Sequence, residues 1–276
     1  MRLTHICAAV GFSAALGACS AGNDYSRYEA KQVRDGYLRG DFAPADAPYT
    51  NEDLVRNFEV VALNSEFTRT GAQLVQETSP TRLARWEKQV RYRLSGAGVT
   101  EADRVAYAEL TKRLSELTGR DIRETGARGD ITIMILNEAE RLELVRDIRR
   151  RRIDDRMRLV VRWASAIDYP CVGQIGFEDS DSGEITSALI VVKGELPGML
   201  RQTCIHEELA QTMGLINDDN SVRPSIFNDD QEFALLTEHD EFLLRMLYDP
   251  ALKPNMSADE ARPLLPGIIE KLRPNA

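Results

Sequence analysis

The chain has 276 residues, 43% of them hydrophobic, 29% charged and 7% aromatic, a globular composition that excludes disordered, collagen-like and polytopic membrane classes. Lys and Arg number 35 against 44 Asp and Glu, a net charge of −9, and an acidic surface is a poor match for nucleic-acid phosphate, so no nucleic-acid partner is expected. Only three histidines are present, His5, His206 and His239, which makes a conventional zinc site hard to assemble.

Met1-Arg2 is a charged start, and Ile6 to Leu16 is an Ala-rich apolar run too short to cross a bilayer but suited to a signal-peptide core. It ends Leu16-Gly17-Ala18-Cys19, which resembles a bacterial lipobox. That resemblance implies removal of residues 1–18, lipidation of Cys19 and attachment to a membrane through the acyl chains. Ser20 rather than Asp follows the cysteine, so by the same resemblance the protein faces the periplasm with the outer membrane favoured over the inner. Cys7 leaves with the signal, and Cys171 and Cys204 remain. An even pair in an oxidising compartment predicts one disulfide, with two buried free thiols as the alternative.

Residues 19–50 are polar and mixed, and are expected to form a tether with at most one helical stretch. Residues 51–276 are expected to form one domain. Asn51-Glu52-Asp53 opens a helix whose apolar positions Leu54, Val55, Phe58 and Val61 run toward Phe67. Trp86 to Leu94 alternates, with Val90, Tyr92 and Leu94 on one face of a half-buried strand. Thr100 caps a helix from Glu101 to about Leu117 with a stripe of Val105, Leu110, Leu114 and Leu117, ended by Gly119. Ile131–Leu136 is a buried strand, and Glu138 to about Arg152 a charged helix. In it, Arg149–Arg152 is balanced by Asp147, Asp154 and Asp155, a solvated face rather than a basic patch. Gln174–Phe177 and Ile185–Val192 flank a turn-rich stretch and form a hairpin. Helices follow over Leu200–Met213, from Thr237 to Tyr248, and after Ser257.

His206-Glu207 suggests an HExxH zinc helix, but that motif needs two imidazoles four residues apart, one above the other on the helix face. Ala210 stands four on from His206, and Gln211, five on, lies on another face. One register later the spacing of a longer motif is complete. Glu207-Glu208-Leu209-Ala210-Gln211-Thr212-Met213-Gly214-Leu215-Ile216-Asn217 resembles the metzincin pattern HExxHxxGxxH. Glu207, Gln211 and Asn217 stand at the three ligand positions, Glu208 at the general base and Gly214 at the helix-turning glycine. Pro224–Asn228 resembles the Met-turn segment with Phe227 in the methionine's place, and Leu236-Thr237-Glu238-His239-Asp240 through Tyr248 resembles the closing metzincin helix. The order of strand, helix, strand, hairpin and motif helix also matches. The segment Cys204 to Tyr248 is similar, too, to an uncharacterised domain family of bacterial lipoproteins.

The resemblance implies an α+β, zincin-like fold: a small mixed sheet packed on the motif helix, with a helical C-terminal part. All three imidazoles are replaced, and one carboxylate with two amides is a weak zinc set. The expectation is therefore a pseudo-metallopeptidase without a resident cofactor. Glu207, Gln211, Asn217 and Asp218 would line a vestigial cleft around Glu208, and a peptide or protein partner would add to the edge strand Ile185–Val192. Two alternatives stay open. One is a hydrolase on a non-standard metal site, with Glu208 as base and His206 collected into it. The other is a hard divalent cation such as Ca²⁺ held by Asn217–Asn220 and Asn228–Asp230. Otherwise His206 lies on the far side of the helix, at the surface or against an acid. His239 has no assigned role.

Overall fold

The computed structural model describes residues 24–70, 73–150, 169–179 and 181–274. Cys19, Ser20 and the Arg151–Asp155 part of the charge run lie outside the described residues.

Residues 24–34 form a first helix, α1. The segment expected as a tether is seated on the domain from Asp24 onward: Tyr25, Leu38 and Ala47 are buried. Leu38 and Arg39 donate backbone hydrogen bonds to Gln231 O and Glu232 O. Helix α2 spans Asn51–Ala62 behind a Thr50–Asp53 capping box. It stops short of the expected Phe67, because the chain turns at Leu63 into a two-stranded hairpin, β1 (Asn64–Thr70) and β2 (Gln73–Pro80).

Five further strands make one mixed sheet: β3 (Val90–Ser95), β4 (Ile122–Glu124), β5 (Ile131–Leu136), β6 (Cys171–Phe177) and β7 (Ile185–Lys193). Their order is β4-β3-β5-β7-β6. The first three pairings are parallel, and β6 runs antiparallel to β7. The expected alternation holds in β3, where Val90, Tyr92 and Leu94 are buried and Arg93 is exposed. Ile185–Val192, expected as the sheet's edge, is interior: β7 pairs with β5 on one side and β6 on the other. Its run Leu189-Ile190-Val191-Val192 is apolar on both faces, the pattern of a strand covered on both sides. Among the described residues strand β6 is the edge on that side instead.

Between the strands, α3 (Glu101–Thr118) has a Thr100–Asp103 capping box and ends in a left-handed Gly119. Of the expected stripe, Leu110, Leu114 and Leu117 are buried but Val105 is 49% exposed, and Tyr107 takes the inward position. Helix α4 (Glu138–Arg150) adjoins β5, and its Leu144 joins Met134, Leu136, Val172, Leu189 and Val191 in a small apolar cluster. The opposite face carries Ile131, Ile133, Ile135, Ile190 and Val192 into the main core. That core also holds Cys204, Ile205 and Leu209 of the motif helix α5 (Gly198–Gln211). Helices α6 (Glu238–Leu247), α7 (Ala258–Ala261) and α8 (Leu265–Leu272) complete the helical C-terminal part. Among the described residues no helix is long and apolar enough to cross a membrane.

Three devices fix α5. Arg201 donates through Nε and Nη2 to both carboxylate oxygens of Asp103, each at 2.6 Å, and through Nη1 and Nη2 to Gly194 O and Gly98 O. Pro197 at the N-cap has no side-chain acceptor. Glu29 of α1 substitutes, its Oε2 accepting from Leu200 N at 3.1 Å, an anion placed at the positive end of the helix. The third is the Cys171–Cys204 disulfide, which joins α5 to β6. It closes a loop of 33 residues, and removing it with Cys171→Ala and Cys204→Ala is expected to lower stability by about 3–4 kcal/mol on the loop-entropy argument. Thermal unfolding by circular dichroism checks this, and a loss below about 1 kcal/mol would show the strand to be held without the bridge.

Candidate functional site

A cleft of about 460 Å³ opens along the C-terminal half of α5. Its floor is Glu207, Glu208, Gln211 and Thr212; β6 forms one wall, and Ser65, Glu66 and the stretch from Thr81 to Ala84 form the other. The four floor residues are brought together by helical spacing, since positions three and four apart share a face.

Beyond α5 the chain must reverse, and Gly214 makes the reversal possible. Its φ is +115°, and a Cβ there would come within 2.0 Å of Ala84 O, so both backbone angle and space require glycine. The turn is locked from two sides: Trp86 Nε1 donates to Thr212 O at 2.8 Å, and the Tyr248 hydroxyl donates to Met213 O at 2.9 Å. The Pro224–Asn228 segment is tied to α6 through Asp240. That carboxylate accepts from Ser225 Oγ, Ile226 N, Thr237 N and Thr237 Oγ1. The Thr-x-x-Asp spacing noted in the sequence is thus a capping box that also holds the neighbouring loop. Phe227 is fully buried.

After the reversal, Asp218 rather than Asn217 returns to the cleft. Asp218 Oδ2 accepts from Gln211 Nε2 at 2.7 Å, and Asp218 N donates to Glu66 Oε1 at 3.2 Å. Asn217 is fully buried outside the cleft, its Nδ2 donating to Val60 O. The side chains at the three ligand positions therefore do not converge: Glu207 and Gln211 face the cleft, Gln211 is engaged with Asp218, and Asn217 is spent on α2. This set does not fit zinc.

The sequence reading missed Glu66, which lies on the unpredicted hairpin and meets Asp218 from the opposite wall. Burial raises the pKa of both carboxyls, and for Asp218 the neighbouring Glu66 raises it further. Burial also pushes Glu207 and Glu208 well above the ordinary carboxyl range. Asp218 and Asp229 add to the shift at Glu207, and Glu207 and Asp218 to that at Glu208. Glu208 is 6% exposed, and its Oε2 has no hydrogen-bond partner, nor has Asp218 Oδ1. Asp229 lines the mouth of the cleft.

His206 stays out of the cleft. It is largely buried, Nδ1 accepting from Leu236 N at 3.3 Å, and burial lowers its pKa to about 4. It is a neutral internal acceptor rather than a surface residue. His239 is fully buried beside Asn57 Nδ2 (3.0 Å) and edge-on to Tyr49. In the acidic loops, Asp219, Asn228 and Asp230 cap local backbone amides of Ser221, Asp230 and Glu232.

The chain belongs to the family described as "Protein of unknown function (DUF2927)", whose family model matches residues 51–267. No curated protein sequence matches it.

Proposed function

We propose that this family member is a periplasm-facing lipoprotein whose domain is a zincin-like binding module, degenerate at its metal ligands, that takes an extended peptide segment without cleaving it. The observation that carries the reading is strand β6. It is hydrogen-bonded to β7 on one side, and it borders the cleft along most of its length directly beside α5. A one-sided strand next to a groove offers main-chain donors and acceptors to an incoming strand, and the groove offers room for alternate side chains.

The zincin-like part of the proposal is supported by the succession β3, α3, β5, the β6–β7 hairpin and then α5, by the reversal at Gly214, and by the Asp240-held loop before α6. Its loss of catalysis is supported by the ligand positions that fail to converge. Lipidation at Cys19 is supported by the sequence that precedes it and by the disulfide, which belongs in an oxidising compartment.

Selection of a displayed random dodecapeptide library on the purified, oxidised protein tests the binding role. Peptides are expected to be recovered, and N-methylation at alternate backbone positions is expected to abolish their binding in one of the two frames, since only alternate amides face the strand. Recovery of no peptide would sink the binding role. Cleavage of casein that disappears in Glu208→Gln would replace it with hydrolysis.

A further inference from the structure

We infer that the cleft selects a positively charged side chain, Arg or Lys, at the peptide position paired with Gly173 of β6. This rests on the strand-docking proposal and names what the docked strand must carry.

The charged groups lining the cleft are Glu66, Glu207, Glu208, Asp218, Asp229 and Arg82. Arg82 is exposed at the rim, its Nη1 donating to Asn255 O and standing 3.7 Å from Glu260, so among the described residues the floor itself has no cation. A buried carboxylate without a partner is costly, and proteins keep such groups paired or protonated. Here Glu208 is more than nine-tenths buried, faces the cleft, and leaves Oε2 without a partner; Asp218, partly buried, also leaves its buried Oδ1 without one. A ligand that brings a guanidinium or ammonium group satisfies both oxygens with charge-assisted hydrogen bonds.

The register comes from Gly173. A Cβ built there would lie 2.4 Å from Glu208 Oε2, so the side-chain direction at this strand position points straight at the carboxylate. Side chains of directly paired residues on neighbouring strands emerge on the same face of a sheet, about 4.5–5.5 Å apart. A peptide residue paired with Gly173 therefore projects toward Glu208. The glycine leaves open the space that this side chain and the carboxylate occupy.

The experiment uses the peptides recovered from the dodecapeptide selection, measured by calorimetry at pH 7.5. They are expected to share one Arg or Lys position, whose exchange for Gln weakens binding at least about tenfold, the lower end for charge-assisted bonds. Glu208→Gln and Asp218→Asn are each expected to erase most of that difference while still binding the Gln peptide. Gly173→Ala, which displaces the carboxylate, is expected to do the same. If recovered peptides lack a common basic position, or the Gln exchange is without effect, the charge selection is overturned and strand docking survives. If no peptide is recovered, both fall. Zn²⁺, Mn²⁺ and Ca²⁺ are titrated alone: stoichiometric binding lost in Glu208→Gln, with no competition from the basic peptide, would make the cluster a metal site and overturn the inference.

Discussion

Replacing Glu208 by Gln and Asp218 by Asn together is expected to stabilise the unliganded protein at pH 8 by on the order of 2–4 kcal/mol, because two buried, mutually repelling carboxyls are removed without loss of volume. At about 2–4 °C per kcal/mol for a chain of this size, the melting temperature should rise by roughly 5–15 °C. The amide introduced by Asp218→Asn can still accept from Gln211, as the aspartate does, and brings an N–H that can donate to Glu66.

The pH dependence has a definite sign. Both carboxyls have folded-state pKa values above their unfolded ones. Their contribution to stability is thus fully present below the unfolded values, about 4, and is lost as pH rises toward the folded ones. The gain of the double variant over its parent should be small at pH 4.5 and grow as the pH rises toward 8. Melting curves of the two proteins over that range check it. A constant gain at every pH would mean that repulsion between these groups is not its source.

Asp103→Ala is expected to have the opposite and larger effect, a loss of about 3–5 kcal/mol, since it strands the Arg201 guanidinium in the core. Asp103 is 2% exposed and Arg201 8%. Burial alone would raise the aspartate's pKa, but hydrogen bonds from Arg201 and from Thr100 outweigh it and hold the carboxyl below its usual value. The contribution is therefore present above the unfolded pKa and is lost as pH falls through the folded one. Chemical denaturation at pH 7 measures the loss. Because Arg201 lies in the first turn of α5, the same variant should loosen the cleft floor and weaken any peptide that binds there. A loss below about 1 kcal/mol would show that Gly98 O, Gly194 O and packing hold Arg201 without the aspartate.

Local chemistry in this chain was legible from the sequence alone. The alternation Val90-Arg91-Tyr92-Arg93-Leu94, the β-branched run Ile131–Ile135, the caps at Thr100 and Ser257, and the helix ending at Tyr248 each became the expected element. Such signals are carried by neighbours within four residues, where backbone angle, capping and side-chain period are set. The pairing of Cys171 with Cys204, expected from an even pair with two free thiols as the alternative, is present. Helical spacing from Glu207 to Gln211 puts Glu207, Glu208 and Gln211 along one cleft beside α5, because a helix face is a local property too.

What the sequence did not contain was decided by packing over long separations. Glu66 reaches Asp218 across 152 positions, carried by a hairpin whose strands gave no alternating apolar signal. Asn217 was expected to line the cleft, yet a one-residue difference in the exit from the Gly214 turn sends it to Val60 O and brings Asp218 inward. Ile185–Val192 and Gln174–Phe177 both read as strands of one hairpin, and only the docking of β5 beside β7 settles which of them is the edge. Residues 24–50 read as polar linker, yet Glu29 finds the uncapped end of α5 and Leu38 a buried seat. Composition and spacing thus determine which segments are helices and strands and where a turn must fall. The convergence of five acids on one cleft, and the strand left open beside them, follow from which apolar faces are buried against one another once those segments pack.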